Sequence, residues 1–481
     1  MSDEKDSHSA SSLEKGQSGV DGKDGSFSPV VDDALTAHVW RKLDWRILPF
    51  VTALYLLSFL DRTNIGNARI AGMATDLHLS VGLGGLKYNI AAAVFYITYS
   101  LFEVPSNIFL KLTRPSIWIP SIMLAWGLII SLIARVFLGV AEAGLLPGVT
   151  FYISLWYPRR MQASRIAIFF AGTTIAGAFG GILAFGIEHL EGRGGLHGWQ
   201  WIFLIEGLIT IVVALGAYFF MPDYPETARF LSEEERNFVV TTLRQERQNQ
   251  ATHFEMRFIQ QAFSDWKSWV QVLMFMGVII PGYGVALFMP SIINDLGFSA
   301  ANAQLLTVPP FVLGCCIVIL AGLSADRLQS RGPFFIVCST VGLVGYIIAY
   351  TTRTAGPGYV AAILATMGVY PSICTNLAWA AANAGGEMKR AVVLAMVVGF
   401  GNLGGICSSF VYNDPPRFHH GHGTMIGWLG CSIICSIVLM YTYHRLNREK
   451  EEYCKREGIT IDMQDQFKDS GDESPLFRYI I

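Results

Sequence analysis

The chain has 481 residues and a formal net charge of −2, and 52% of its residues are hydrophobic while only 15% are charged. A mean hydropathy of +0.41 over this length excludes a soluble globular protein, and no basic patch suggests a nucleic-acid partner. We therefore expect an all-α integral membrane protein in contact with the lipid bilayer. The eight cysteines imply no disulfide framework, because they lie in apolar stretches or near the C-terminus.

The first segment, residues 1–36, is rich in Ser, Gly, Asp and Lys and poor in large apolar residues. Such a composition cannot bury enough surface to fold, so we predict a disordered cytoplasmic tail. The segment also lacks the pattern of a cleavable signal peptide. Tryptophans and cations typical of the headgroup region follow it, namely Trp40, Arg41, Lys42, Trp45 and Arg46.

Twelve apolar stretches then approach the ~20 residues that cross a bilayer core of about 30 Å. They cover residues 47–66, 88–110, 117–134, 136–156, 166–187, 200–220, 268–292, 303–324, 333–351, 358–381, 391–412 and 424–443. We predict two six-helix bundles with cytoplasmic connections. Their boundaries are an N-terminal bundle at 37–220, a linker at 221–266, a C-terminal bundle at 267–443 and a tail at 444–481.

The loop cations indicate the orientation, because short cytoplasmic loops are enriched in Lys and Arg. The side that carries the linker holds Lys111, Arg114, Arg159, Arg160, Arg165, Arg327, Arg331, Lys389, Arg390, Arg445 and Arg448. The loops of the opposite side hold fewer cations. We therefore predict a multi-pass protein with both termini in the cytoplasm, most readily of the plasma membrane, and we call the predicted cytoplasmic side the inner side.

The first span contains two adjacent charges, Asp61 and Arg62, near the end of an otherwise apolar run. A charge within a span costs about 3 kcal/mol by insertion scales, so such residues usually face a bundle interior or a water-filled cavity and take part in function. The alternative is that both charges form an anchor at the membrane edge. The position of the pair in the sequence leaves both interpretations open.

The third and fourth spans occupy residues 117–157, which leave no room for a turn between two full crossings. We therefore predict a shortened hairpin between helices 3 and 4 that reverses near residues 133–136. The fourth span carries Glu142 among small residues, where a carboxyl can bind a proton reversibly. A structural hydrogen bond to a neighbouring helix is the alternative role for Glu142.

The linker and the glycines indicate two related halves. Ser232 and Glu235 have the spacing of a helix capping box, which predicts an amphipathic helix in the linker. Spans five and eleven carry glycines in similar register, and secondary transporters use such paired glycine-rich helices to rock around a central site. The glycines are Gly172, Gly177, Gly180 and Gly181 in span five, and Gly399, Gly401, Gly404 and Gly405 in span eleven.

Between spans eight and nine, the pattern formed by Gly322, Asp326, Arg327 and Arg331 resembles the cytoplasmic gating motif of the major facilitator superfamily. The general enrichment of cations in cytoplasmic loops is the alternative explanation. In the last outer loop His419, His420 and His422 form a cluster that lacks a partner ligand at metal-binding spacing. We expect neither a metal nor a cofactor.

Nearly the whole chain resembles the fungal anion:cation symporters of that superfamily, the permeases for allantoate, nicotinate and pantothenate. The matching stretches include residues 60–68, 137–144, 154–159, 198–203 and 303–309. The resemblance implies the major facilitator fold. It also implies that Arg62 binds a substrate carboxylate, which suits the fork of a guanidinium, and that Asp61 and Glu142 take part in proton coupling.

Other substrate-binding candidates lie on the inner spans of the second half, where this superfamily lines its cavity. They are Tyr283, Tyr370, Asn376, Trp379 and Asn402, with Phe288 and Asn383 as further polar or aromatic positions. Helix packing and interhelical hydrogen bonds explain such residues about equally well. Their roles therefore stay open at this stage.

These features predict a proton-coupled importer of a small organic anion that works as a monomer by alternating access. Two alternatives remain, an exporter of an acidic secondary metabolite and a non-transporting receptor or inactive relative, which the short hairpin favours. An enzyme is not expected, because the spans and loops carry no nucleophile elbow, paired histidines or phosphate loop.

Overall fold

A computed structural model describes residues 33–79, 86–127, 134–188, 190–248, 256–352, 354–385, 387–412, 418–460, 467 and 471–481. Every regular element within these ranges is helical, as the sequence predicts. The first helix begins at Asp33, so nearly all of the predicted tail 1–36 lies outside the described residues.

The predicted N-terminal bundle contains α1 (Asp33–Ala68), α2 (Ala74–Asp76), α3 (Lys87–Leu112), α4 (Pro115–Gly127), α5 (Ala134–Glu142), α6 (Leu145–Trp156), α7 (Arg159–Glu188) and α8 (Gly198–Phe220). The fourth predicted span is thus two helices, with a break at residues 143 and 144. The break lies close to α3, because a Cβ on Gly144 would overlap the side chain of Ser106. Glu142 is therefore the last residue of α5, a helix that ends inside the bundle.

The linker contains α9 (Glu233–Gln248) and α10 (Met256–Ser264). The predicted capping box is present at the start of α9. The backbone nitrogen of Ser232 donates to Glu235 Oε2 at 2.8 Å, and the backbone nitrogen of Glu235 donates to Ser232 Oγ at 3.2 Å. The predicted linker helix is therefore confirmed, since these two bonds satisfy groups that the first helical turn leaves without partners.

The predicted C-terminal bundle contains α11 (Trp266–Asp295), α12 (Ala300–Leu306), α13 (Val308–Leu328), α14 (Gly332–Thr351), α15 (Ala355–Asn383), α16 (Glu387–Asn402), α17 (Gly404–Val411) and α18 (His419–Glu457). The eleventh predicted span is again two helices, α16 and α17, which meet at Leu403. Asn402 ends α16 in the same way that Glu142 ends α5. Both halves therefore place a polar residue at a helix end inside the bundle.

Within the described ranges, nine helices are long and apolar enough to cross a membrane by length and composition. The predicted spans two, three and four are not among these nine, and α4, α5 and α6 are only 13, 9 and 12 residues long. The predicted hairpin turn adjoins residues 128–133, which lie outside the described part, and α5 begins at Ala134. The count of twelve spans and the shortened hairpin therefore stay predictions.

The two halves come into close contact at glycines, which have no side chain. On the outer half of α1, a Cβ at Gly66 would lie 2.6 Å from the carbonyl oxygen of Leu287 on α11. On α17, a Cβ at Gly405 would overlap the ring of Tyr96 on α3. Both contacts join the N-terminal half to the C-terminal half on the predicted outer side of the membrane, so the halves are in contact there.

The chain after the last predicted span is not a free tail over its described part. Helix α18 continues past the predicted end at residue 443 to Glu457. Residues 471–481, which we call the C-terminal segment, then fold back onto the inner end of the C-terminal half. Asn383 exchanges two hydrogen bonds with the backbone of Ile480, at 2.9 and 2.7 Å, and Lys389 forms an ion pair with Asp472 at 2.7 Å.

Candidate functional site

The centre of the N-terminal half contains a buried ion pair between Arg62 of α1 and Glu142 of α5. Arg62 Nη2 lies 2.5 Å from Glu142 Oε1, and the two side chains are 3% and 1% exposed. Ser58, one helical turn before Arg62, also donates to Oε1. Gly139 allows α5 to pack closely against α3, because a Cβ there would lie 2.5 Å from the backbone oxygen of Phe95 on α3. The predicted functional charges Arg62 and Glu142 are thus brought together.

Aromatic rings surround the guanidinium of Arg62. Its central carbon lies 4.8 Å from the ring centroid of Tyr99 and 5.2 Å from that of Phe95, both on α3. Cation–π contacts of this kind are strongest in a site with little water. The rings therefore hold a positive charge in the membrane interior with Glu142 as its carboxylate partner.

A polar chain leads from Arg62 into the C-terminal half. Arg62 Nη1 donates to the hydroxyl of Tyr283 on α11 at 3.3 Å. The Tyr283 hydroxyl in turn donates to Asn402 Oδ1, at the end of α16, at 2.7 Å. Two of the predicted substrate-binding residues therefore join the predicted carboxylate-binding arginine across the two halves.

These side chains line one central cavity. Arg62, Tyr283, Tyr370 and Asn402 share it with apolar walls formed by Phe59, Phe170, Phe275, Ile279, Ile373, Leu377 and Val398. In the described part of the chain, Tyr370 Oη and Asn402 Nδ2 have no hydrogen-bond partner. The cavity therefore offers one cation and a few polar groups within apolar walls, which is the composition of a small-molecule site.

Asp61 faces away from this cavity, although it is adjacent to Arg62 in the sequence. Its Oδ2 accepts hydrogen bonds from Trp126 Nε1 at 3.1 Å and from Thr210 Oγ1 at 3.0 Å. Successive residues of a helix point about 100° apart, so neighbouring charges on α1 reach different surroundings. The structure therefore places Asp61 between helices of the N-terminal half.

Several other candidates of the second half also lie outside the cavity. Trp379 Nε1 donates to the backbone oxygen of Ile480 at 2.7 Å, so Trp379, like Asn383, binds the C-terminal segment. Asn376 is fully buried, and neither of its side-chain polar atoms has a partner in the described part. Phe288 stacks on Tyr412 at 4.8 Å near the outer end.

The predicted gating motif lies at the inner end of α13 and in the turn after it. The Arg331 guanidinium donates to the backbone oxygen of Ala378 on α15, and its backbone nitrogen donates to Ile481 at 2.7 Å. Gly322 lies in α13, Arg327 is exposed, and the side chain of Asp326 lies outside the described part. The motif arginine thus connects the turn, α15 and the C-terminal segment.

The three residues of the histidine cluster all lie at the start of α18 and face different surroundings. His422 is buried between Tyr346 and Tyr412, with ring centroids 6.1 and 5.5 Å away, and His419 contacts Tyr350. Over the residues that the structure describes, no group of three possible ligands is placed to hold a metal ion.

Sequence reasoning missed two buried acids. Glu103 of α3 is 5% exposed and interacts with the side chain of Asn402. Glu206 of α8 is 1% exposed and lies near Asp61. Each is an isolated carboxyl within an apolar stretch, which is the same signal that identified Arg62, so both could have been found from the sequence.

Comparisons with known proteins agree with this architecture. A family model described as Major Facilitator Superfamily matches residues 51–409. An uncharacterized transporter of Schizosaccharomyces pombe is 33% identical over 453 residues, which are 92% of this chain and 89% of that protein. The high-affinity nicotinic acid transporter of Saccharomyces cerevisiae is 29% identical over 474 residues, which are 95% of this chain and 87% of that protein.

A solved structure shows the same fold. The xylose transporter XylE from E. coli, in a partially occluded inward open conformation, aligns with a TM-score of 0.63 and 12% identity over 83% of this chain and 98% of that chain. The family match extends over most of the chain and across both halves. The chain therefore belongs to the Major Facilitator Superfamily, and it is a multi-pass membrane transporter with the major facilitator fold rather than an enzyme.

Proposed function

We propose that this transporter takes up a small organic anion together with protons by alternating access. The observation that carries the proposal is the buried guanidinium of Arg62, which lines the central cavity of the molecule. A guanidinium presents a planar set of donors that matches a carboxylate. The relative named as a nicotinic acid transporter supports an anionic substrate, because nicotinate carries one carboxylate at neutral pH.

The Arg62–Glu142 pair suggests how a proton enters the cycle. A substrate carboxylate that takes over the guanidinium leaves Glu142 as a buried anion without its main partner. Such an anion is strongly disfavoured in the membrane interior, so Glu142 then binds a proton. Release of substrate reverses both steps, because Arg62 and Glu142 pair again when Glu142 loses the proton. Binding of the anion and of the proton therefore favour each other.

The cavity walls restrict the class of substrate. Phe59, Phe170 and Phe275 contribute flat apolar surface, and the polar groups are few. We infer a compact anion with an aromatic or otherwise apolar body and one carboxylate. The hydroxyl of Tyr370 and the amide of Asn402 are available to bind a polar atom at the end of the substrate opposite its carboxylate. This also fits the proposed place of the chain among the anion:cation symporters.

The close contacts at Gly66 and Gly405 support alternating access from a state that is closed on the predicted outer side. When these contacts separate, the cavity opens to the outer side. When they are closed, substrate can leave the cavity only through an opening on the inner side. We propose a monomer in the plasma membrane with both termini in the cytoplasm, since the cavity lies within one chain.

The test is uptake of radiolabelled nicotinate, pantothenate and allantoate by a permease-deficient yeast that expresses the full chain. We expect accumulation of at least one anion from an acidic medium, and loss of accumulation when a protonophore is added. Binding without accumulation would indicate a receptor. Accumulation only into inside-out vesicles would indicate an exporter. Accumulation that a protonophore leaves unchanged would contradict proton coupling.

A further inference from the structure

Glu103 is a buried acid at the contact between the two halves. It lies on α3 of the N-terminal half, is 5% exposed, and interacts with the side chain of Asn402 on α16 of the C-terminal half. The Tyr283 hydroxyl donates to Asn402 Oδ1. The amide nitrogen of Asn402 has no hydrogen-bond partner in the described part of the chain, so it stays available to the neighbouring Glu103 carboxyl. Glu103 therefore contacts the far end of the polar chain that starts at Arg62.

The charged and titratable groups that act on Glu103 come from three helices. They are Arg62 from α1, Tyr283 from α11 and, one turn earlier on its own helix, Tyr99. Asn402, from α16, is neutral. In the described part of the chain Glu103 Oε2 has no hydrogen-bond partner. Glu103 is thus a buried acid whose Oε2 atom is available to carry a proton.

We infer that Glu103 carries a second proton in the transport cycle, an inference that rests on the proposed proton-coupled uptake. Coupling needs a carboxyl whose surroundings differ between the outward-open and inward-open states. Arg62 and Glu142 both belong to the N-terminal half, so rocking of the halves preserves their contact. Two neighbours of Glu103, Tyr283 and Asn402, belong to the opposite half, and separation of the halves removes both and admits water to the carboxyl.

Glu206 provides a matched control. It is as deeply buried as Glu103, and in the described part neither of its carboxyl oxygens has a hydrogen-bond partner. Its neighbours Asp61 and Asn64 lie in the N-terminal half with it, so rocking of the halves leaves its surroundings unchanged. Substitution of Glu206 removes a buried carboxyl without touching the interface between the halves.

The number of protons determines the net charge that moves in each cycle. A monovalent anion with one proton on Glu142 carries no net charge. A second proton on Glu103 adds one positive charge, so uptake responds to the membrane potential. One net charge changes the limiting accumulation ratio by roughly 50-fold for about 100 mV. The Glu103→Gln variant, which is permanently neutral, returns the cycle to one proton and removes this dependence.

The test has two measurements on the purified full chain. In nanodiscs, the infrared band of protonated carboxyl groups is titrated between about pH 5 and 8 for the wild type, Glu103→Gln and Glu206→Gln. We expect Glu103→Gln to lose a titrating component that Glu206→Gln keeps. In liposomes, nicotinate accumulation is measured with and without an imposed potential, and we expect the potential to act on the wild type and on Glu206→Gln but not on Glu103→Gln.

The results separate the two proposals. An unchanged infrared titration in Glu103→Gln, or an unchanged response to potential, would overturn the role of Glu103. If the wild type moves no nicotinate, the proposed function fails for this anion, while the infrared titration still decides whether Glu103 binds a proton in this range. If Glu103→Gln does not fold, Glu103→Asp keeps the carboxyl and must keep the titrating component.

Discussion

Arg62 holds Glu142 through one carboxylate oxygen: Nε and Nη2 of Arg62 both donate to Oε1, at 3.2 and 2.5 Å. Glu142 Oε2 has no hydrogen-bond partner in the described part of the chain. A competing anion therefore has to displace contacts to one oxygen only. This geometry suits a pair that forms and breaks once in every transport cycle, in contrast to a permanent structural ion pair.

Arg62→Lys should weaken substrate binding strongly. The ammonium keeps the charge but loses the planar donor set, so at least one charged hydrogen bond to the substrate is lost, at about 1.5–3 kcal/mol. We expect the KM for the transported anion to rise by roughly 10- to 150-fold. The measurement is initial uptake against concentration, and an unchanged KM would show that Arg62 does not bind the carboxylate.

Glu142→Gln should separate exchange from accumulation. The amide resembles the protonated acid, so the variant can still bind the anion but cannot release a proton with it. We expect accumulation driven by a pH gradient to fall, because only the proton on Glu103 remains coupled to the anion, while exchange of labelled for unlabelled anion continues in liposomes. Accumulation as high as that of the wild type would show that Glu142 carries no coupled proton.

Asp61→Asn tests the other acid that the sequence assigns to coupling. Asp61 accepts from Trp126 and Thr210 inside the N-terminal half, so we expect the substitution to act on stability through these two bonds. The loss should be about 1–3 kcal/mol, with the KM for the anion kept within about twofold. The checks are thermal unfolding in detergent and uptake kinetics. Lost accumulation with intact stability would instead support the coupling role, and Thr210→Val serves as the control for the hydrogen bond alone.

Gly66→Val should shift the protein away from the state closed on the outer side. A Cβ at this position lies 2.6 Å from the backbone oxygen of Leu287, which cannot move aside as a side chain would. We expect greater accessibility of the outer cavity to a membrane-impermeant cysteine reagent, and reduced uptake. Gly186→Val is the matched control, because a Cβ at Gly186 meets no atom within 4 Å. Equal accessibility in both variants would contradict the assignment of the outer contact.

Asp472→Asn should loosen the C-terminal segment in a pH-dependent manner. Burial by itself raises the pKa of Asp472, but the ammonium groups of Lys389 and Lys267 and the hydroxyl of Tyr479 together more than offset this, so the pKa lies below its ordinary value of 3.8. A lowered pKa means that the carboxylate stabilises the fold above about pH 4 and loses this effect as the pH falls further.

The measurement for Asp472→Asn is thermal unfolding at several pH values. We expect the wild type to be more stable than the variant by about 1–3 kcal/mol from pH 5 to 8, and the difference to shrink progressively as the pH falls below about 4. A difference that persists at low pH would show that Asp472 acts through packing and not through its charge.

The sequence predicted features whose causes are local. The capping box of α9 depends on Ser232 and Glu235, three residues apart, and it is present. The charge of Arg62 was visible because an isolated cation in an apolar run has few explanations. Glu103 gives the same signal, but its role depends on Asn402 of the other half, which is distant in the chain.

Other residues depend on partners far away in the chain. Trp379 resembles a cavity residue by its place in span ten, but its indole binds Ile480, which is 101 residues later. Asp61 and Arg62 are indistinguishable by sequence position. Which of them faces the cavity depends on Thr210, 149 residues from Asp61, and on Glu142, 80 residues from Arg62. Such pairings become visible only when the helices are packed.

The docked C-terminal segment also has a practical consequence for expression and purification. The backbone oxygen of Ile481 accepts hydrogen bonds from Ser330 Oγ at 3.0 Å and from the backbone nitrogen of Arg331 at 2.7 Å. A fluorescent reporter or affinity tag joined directly after Ile481 would begin at this turn and would disturb these two hydrogen bonds. Such fusions should carry a flexible spacer or be placed before residue 33, and activity should be compared between the two designs.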